Sequence, residues 1–190
     1  MLVTTTIILT VWLALVYFYH PTPPIELSNI NVFVWDYLLH DPIFSLPNTT
    51  LLDIRSRRHL LDVKKVVSNT QQLLIILSLL LPLLLFWRRK QIKVIGCYVA
   101  YLGFTFLCVL SGISLFAFRF FFNALHQLFF PAQTWIFAPD SVLIQLFPLT
   151  YFQYFTGIGM GISLLLFSVL FIFSCCGKYT TIKKPEMRSG

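Results

Sequence analysis

Two histidines stand in company that could do proton chemistry. In the stretch RFFFNALHQLFF, Arg119, Asn123, His126 and Phe130 fall at i, i+4, i+7 and i+11, so a helix would carry them on one face and surround them with Phe and Leu. In LLDIRSRRHLLDVKKVV, Arg55, His59 and Asp62 fall at i, i+4 and i+7 and share a face in the same way. A neutral imidazole can take a proton from a nucleophile, and an Arg or an amide can stabilise the oxyanion that develops. A carboxylate beside the second imidazole could orient it. The plainer alternative is that Arg119 snorkels toward headgroups, His126 closes a polar contact, and the His59 helix is a solvated interfacial one.

Other chemistries lack their residues. No serine sits in a GxSxG elbow and no cysteine neighbours a histidine, so a covalent acyl-enzyme has no evident nucleophile. His59, His126 and Asp62 are conceivable metal ligands, but no HExxH or paired-ligand spacing supports them, and no metal is expected. His20 and His40 each adjoin a turn proline, as HP and HDP, and read as turn or interface residues.

The elements that must position these groups belong to a membrane. The chain has 190 residues, 57% of them hydrophobic and only 11% charged, which a soluble globular domain does not tolerate. Its formal charge of +7 is split into short basic segments beside apolar runs, so lipid headgroups and topology account for it, and nucleic acid is not an expected partner. Cys97 and Cys108 lie inside an apolar run and Cys175 and Cys176 end another; they read as packing residues, with acylation of Cys175 or Cys176 as the alternative and no redox chemistry.

The expected fold is an all-α, single membrane domain over residues 1–190, with four spans at about 2–19, 66–87, 94–118 and 151–176. The first span lacks the basic start and small-residue cleavage site of a signal peptide and is read as an anchor. The second is expected to kink at Pro82, and Gly96, Gly103 and Gly112 offer the third a close helix approach. Two outer loops, 20–65 and 119–150, carry interfacial or re-entrant helices. Residues 31–39 read as a short strand or helix, and Asn48, Thr49 or Thr50 as the cap of the His59 helix. Asp140 reads as the cap of SVLIQLF, or as the partner of a basic residue.

Pro131 and Pro139 stop the His126 helix, and a fifth crossing over 120–139 is the variant that its polar residues argue against. Eight of the basic residues fall in the RRKQIK turn and the tail, against six in the much longer loops. The short segments, and with them both termini, are therefore expected in the cytoplasm.

At HLLDVKKV, His59 to Val66, and at HQLFFPAQTWIFAPDSVLIQLFPLTYF, His126 to Phe152, the chain resembles the bacterial lipoprotein intramolecular transacylases, four-span membrane proteins. The second stretch is similar to that family's His-x-x-Phe-Phe, Trp-x-Phe, Asp-x-x-Leu-Ile and Phe-Pro-x-x-Phe series, and the similarity runs from about Asp36 onward. It departs at RSRR before His59 and at Leu149 after Pro148, where acidic residues are expected.

The resemblance implies a cofactor-independent enzyme of the bacterial cell membrane. It would move the sn-2 acyl chain of a diacylglyceryl-cysteine lipoprotein to that cysteine's own α-amino group, giving a lyso-form N-acyl S-monoacylglyceryl lipoprotein. On this reading His126 is the base, and His59, oriented by Asp62, protonates the leaving glycerol oxygen, or the two roles are exchanged. Arg55, Arg119, Asn123, Trp135 and Asp140 complete the expected substrate contacts, with membrane lipids as the other partners. The competing class is a non-enzymatic membrane protein whose polar clusters only grip lipoproteins or headgroups.

Overall fold

A computed structural model describes residues 2–40, 52–131 and 133–175. The expected caps Asn48, Thr49 and Thr50, together with Cys176 and the basic tail, lie outside the described residues. Among the described residues there are seven α-helices and no strand.

Helix α1 (Leu2–Phe18) leads through an extended HPTPP segment and a 3-10 turn at Ile25–Leu27 to α2 (Ser28–Leu39). The stretch 31–39 is thus helical. Helix α3 (Ile54–Trp87) is followed, after the basic turn, by α4 (Ile92–Phe116). Then come α5 (Phe118–Phe129), the one-turn α6 (Val142–Leu146) and α7 (Leu149–Cys175).

Among the described residues three helices, α3, α4 with its preceding turn, and α7, are long and apolar enough to cross a bilayer; α1 is apolar but, at 17 residues, shorter. Their outward faces are what a lipid solvent requires. Leu79, Phe116 and Phe173 stand 75%, 93% and 75% exposed, the inverse of a soluble bundle.

The His59 helix and the second span are one element. Asp53 caps α3, its carboxylate accepting from the Ser56 N–H at 2.9 Å, and the helix then runs unbroken for 34 residues with Pro82 inside it. At about 1.5 Å per residue that is roughly 51 Å, well beyond a hydrocarbon core of about 30 Å. The excess falls at the charged start, Arg55 to Lys65, which stands outside the apolar segment.

Helices α4 and α7 run antiparallel, with Gly103 against Phe167 and Ser111 against Met160. A Cβ on Gly103 would overlap the Phe167 ring, and one on Gly96 would meet Ser174, so these glycines permit the approach. Gly112 does not share that role, since nothing lies within 4 Å of where its Cβ would be; Gly159, against Trp12 and Leu15, does.

The same pairing corrects the reading of the cysteines. Cys97 and Cys175, 78 residues apart in sequence, are disulfide-bonded across α4 and α7 with Cα atoms 5.5 Å apart. Only the tertiary register could reveal that pair.

A hydrophobic core lies at the end of the bundle away from the disulfide. Val34, Leu38, Leu60, Leu146 and Tyr151 pack together there, joining α2, the start of α3, α6 and the start of α7. Tyr151 donates its hydroxyl to the Tyr19 carbonyl at 2.9 Å, fastening the end of α1 to the start of α7.

Candidate active site

At that end, a cavity of about 560 Å³ opens between α2, α3, α5 and the loop before α6, and both His59 and His126 line it. Their rings lie 6.3 Å apart at 25°. His59 is only 8% exposed and sits between Phe130 and Phe137, at 4.8 and 5.5 Å. His126 rests on Phe122 at 3.9 Å and Trp135 at 4.9 Å. Trp35, Tyr151 and Phe152 close the remaining walls.

Each imidazole has one nitrogen accounted for. His126 Nδ1 lies 2.9 Å from the Phe122 carbonyl. A carbonyl can only accept, so that bond puts the proton on Nδ1 and leaves the Nε2 lone pair free. His59 Nδ1 is sealed from solvent, without a partner among the described residues. Buried N–H groups without an acceptor are rare because they forfeit a hydrogen bond that water supplies, so the proton belongs on Nε2. The pair therefore offers one lone pair and one N–H.

Both rings are held neutral. Burial, then the charge of His126, pushes His59 down to about 4, against a smaller opposing pull from Asp62. Burial also lowers His126, opposed by its bond to Phe122.

The other expected residues separate into three groups. Trp135 lines the cavity. Arg55 does not, but its guanidinium Nη2 donates to the carbonyls of Gln133 and Ile136, both at 3.3 Å, bracketing Trp135. Gln133 adopts φ 64°, an uncommon left-handed conformation for a residue with a side chain.

Asp62 does not orient His59. It pairs with Lys65 at 3.2 Å, its i+3 neighbour, and reaches His59 only through its field. Arg119 and Asn123 are exposed and outside the lining; the cavity face of α5 is instead Phe122, Leu125, His126 and Phe129, a stripe rotated from the polar one. Asp140 is exposed, and the cap of α6 is Ser141, whose hydroxyl accepts from the Ile144 N–H at 3.4 Å.

His20 stacks on Trp35 at 4.1 Å and His40 faces Asp36 at 3.8 Å, and neither lines the cavity. Among the described residues no three His, Cys, Asp or Glu side chains converge as metal ligands. The aromatic walls Phe122, Phe130 and Phe137 carry no separate signal in the sequence, because Phe occurs 20 times along it.

The sequence pattern of the lipoprotein intramolecular transacylases, Lit, matches residues 26–152, about two-thirds of the chain and inclusive of both histidines. The chain belongs to that family. By its family it is an integral membrane enzyme of lipoprotein maturation.

Among solved structures, the membrane integral lipoprotein intramolecular transacylase Lit from Bacillus cereus superposes with a TM-score of 0.68 at 19% identity. That match covers 93% of this chain and 92% of that one. A histidine-to-alanine variant of the same Bacillus cereus protein matches with a TM-score of 0.65 at 16% identity, over 91% and 87% of the two chains. A histidine-to-arginine variant gives 0.56 at 18%, over 93% and 90%. These likenesses show a shared Lit fold over nearly the whole chain. No curated protein sequence matches it.

Proposed function

We propose that this chain transfers the sn-2 acyl group of a diacylglyceryl-cysteine lipoprotein to the α-amino group of the same cysteine. The observation that carries the reading is the complementary pair of imidazoles in one apolar, aromatic cavity. Donor ester and acceptor amine lie on one molecule, so the protein need supply only confinement, a base and a donor. Orientation of this kind is worth up to roughly 7–11 kcal/mol.

In the proposed step, His126 Nε2 takes a proton from the amine as its nitrogen bonds to the ester carbonyl carbon. The carbon–oxygen bond to the glycerol then breaks, and the same proton passes from His126 to the leaving oxygen. An amide and a free glyceryl hydroxyl result, so no cofactor or acyl-enzyme is consumed. Neutral His59 donates an Nε2–H hydrogen bond to the oxygen that carries the developing charge. Full protonation by His59 is the less favourable assignment, because burial disfavours its imidazolium.

Trp135 forms a wall of the acyl pocket, positioned through Arg55. Arg119, Asn123 and Asp140, exposed on α5 and the following loop, contact the peptide or headgroups rather than the reacting atoms. Helix α1 serves as a fourth span, both termini are cytoplasmic, and the cavity faces the outer leaflet of the bacterial cell membrane. The bias of basic residues supports that orientation.

The test is a purified-protein assay on a lipopeptide carrying one isotope in the sn-2 acyl chain and another in the peptide. Formation of the N-acyl product with both labels on one molecule, even at high dilution among unlabelled substrate, is expected. Scrambled labels would mean transfer between molecules, and absence of product would leave a lipid- or lipoprotein-binding role.

A further inference from the structure

A second recess opens on another face of α3. It is a groove of about 700 Å³ between α1 and α3, capped by the end of α2, and it shares only Leu38 with the wall of the histidine cavity. Its floor on α3 is a stripe in helical register: Lys64, Ser68, Gln71, Ile75 and Leu79. Over about 22 Å of rise, that stripe passes from a cation through hydroxyl and amide to hydrocarbon.

The polar part is built. Lys64 Nζ is drawn over the groove mouth by the His40 carbonyl at 3.2 Å and the Tyr37 ring at 4.3 Å, and an ammonium so held keeps further N–H donors. Gln71 donates to the Tyr17 hydroxyl at 2.6 Å, leaving the Tyr17 O–H to donate outward. Below them Leu13 on α1 faces Leu74 and Ile75. Among the described residues no carboxylate lines the groove, and Asp36 on α2 is directed at His40.

We propose that this groove binds an anionic glycerophospholipid, its phosphate at Lys64, its ester carbonyls at Ser68, Gln71 and Tyr17, and an acyl chain against Leu13 and Ile75. Charge decides the occupant. The α-amino group of the diacylglyceryl-cysteine substrate offers Lys64 no negative charge, whereas a phosphate is attracted. The site is separate from the proposed reaction and does not depend on it.

The test is native mass spectrometry of the delipidated full chain, reconstituted with equal mole fractions of phosphatidylglycerol and phosphatidylcholine. One retained phosphatidylglycerol is expected, favoured about tenfold, the worth of one charge-assisted hydrogen bond. Lys64→Gln, a surface change, should abolish the preference. Leu13→Trp should block retention of either lipid. His126→Ala should retain phosphatidylglycerol as the parent does, which separates this site from the proposed active site. Equal retention of the two lipids, unaltered by Lys64→Gln, would mean annular lipid only and overturn the proposal. Stoichiometric displacement by a diacylglyceryl lipopeptide would overturn it too, assigning the groove to the substrate's remaining chain.

Discussion

His59 and His126, 67 positions apart in the sequence and on different helices, face each other at 6.3 Å and 25° in one aromatic cavity. Each has its Nδ1 turned away, one bonded to a carbonyl and the other sealed in the core. What they present to the cavity is therefore asymmetric, a lone pair from one and an N–H from the other. Two like histidines so acquire different duties from their second nitrogens.

That asymmetry predicts unequal variants. His126→Gln and His126→Ala should both lose formation of the lyso product by about 10²–10⁴-fold, because an amide cannot serve as the base. His59→Gln, which keeps an N–H of similar reach, should retain more activity than His59→Ala. Mass spectrometry of a defined lipopeptide reads both, with circular dichroism to confirm folding. Equal losses for the two His59 variants would remove the donor role.

The pH profile follows from the neutral state of both rings. His126 acts unprotonated and its affinity for a proton is lowered by burial, so the acid limb of kcat/KM should fall below the ordinary histidine value of about 6.5. An acid limb above that value would contradict it. Stability moves in the same direction. A histidine depressed in the folded state binds more protons when unfolded, so stability is complete above about pH 6.5 and is lost as pH falls through the window down to about 4 at His59. Thermal melts at pH 7 and pH 5 check this, the lower pH melting earlier.

That two histidines stand in polar helical patterns is legible in the sequence, and both patterns fall in the long segments that hydropathy leaves outside the spans. The partners within each pattern are less legible, because periodicity says which residues share a face and not which part of that face a neighbour covers. On α5 the buried stripe is offset toward Phe122 and Phe129, so Arg119 and Asn123 are left outside. On α3, Lys65 takes the Asp62 carboxylate at 3.2 Å. The bridge from Arg55 to the carbonyls beside Trp135, and the bond between Cys97 and Cys175, join residues 78 or more apart. No local spacing encodes such contacts.

Arg55 should act through Trp135. Both of its bonds come from one nitrogen to carbonyls that bracket the tryptophan, and hydrogen bonds from a charged donor are worth about 1.5–3 kcal/mol when buried, less at this exposed position. Arg55→Ala should lower kcat several-fold with little change in melting temperature, and quench or shift the emission of Trp135 in a variant that keeps only that indole. Arg55→Lys should not restore the parent values, since an ammonium lacks the planar fork. Full rescue by lysine would reduce the role of Arg55 to charge alone.

Gly103 should tolerate no side chain. Its Cβ position is already filled by the Phe167 ring, which is fully buried, so even Gly103→Ala must push α4 from α7 at a cost of about 1–3 kcal/mol. Gly112→Ala, on the same helix with open space, should be neutral or slightly stabilising. Thermal unfolding in detergent distinguishes them, and equal melting temperatures would mean that the α4–α7 contact is more pliant than its packing implies.

The disulfide and the basic turn make opposite demands on orientation, and an experiment can decide between them. Cys97 and Cys175 are bonded at the end of the bundle that holds Arg88, Arg89, Lys90 and Lys93. Clustered basic residues favour the cytoplasm, whereas disulfides persist in oxidising compartments. Orientation is set at insertion, before the bundle assembles, so the basic turn should prevail and the pair should be two thiols in growing cells. In a variant with Cys108→Ser and Cys176→Ser, a membrane-permeant maleimide added to intact cells should label Cys97 and Cys175. An impermeant one should not, even after an external reductant. Purification in air should then close the bond and raise stability by about 2–4 kcal/mol over the reduced protein. Labelling by the impermeant reagent after external reduction would place the basic turn outside and move the histidine cavity to the cytoplasmic leaflet.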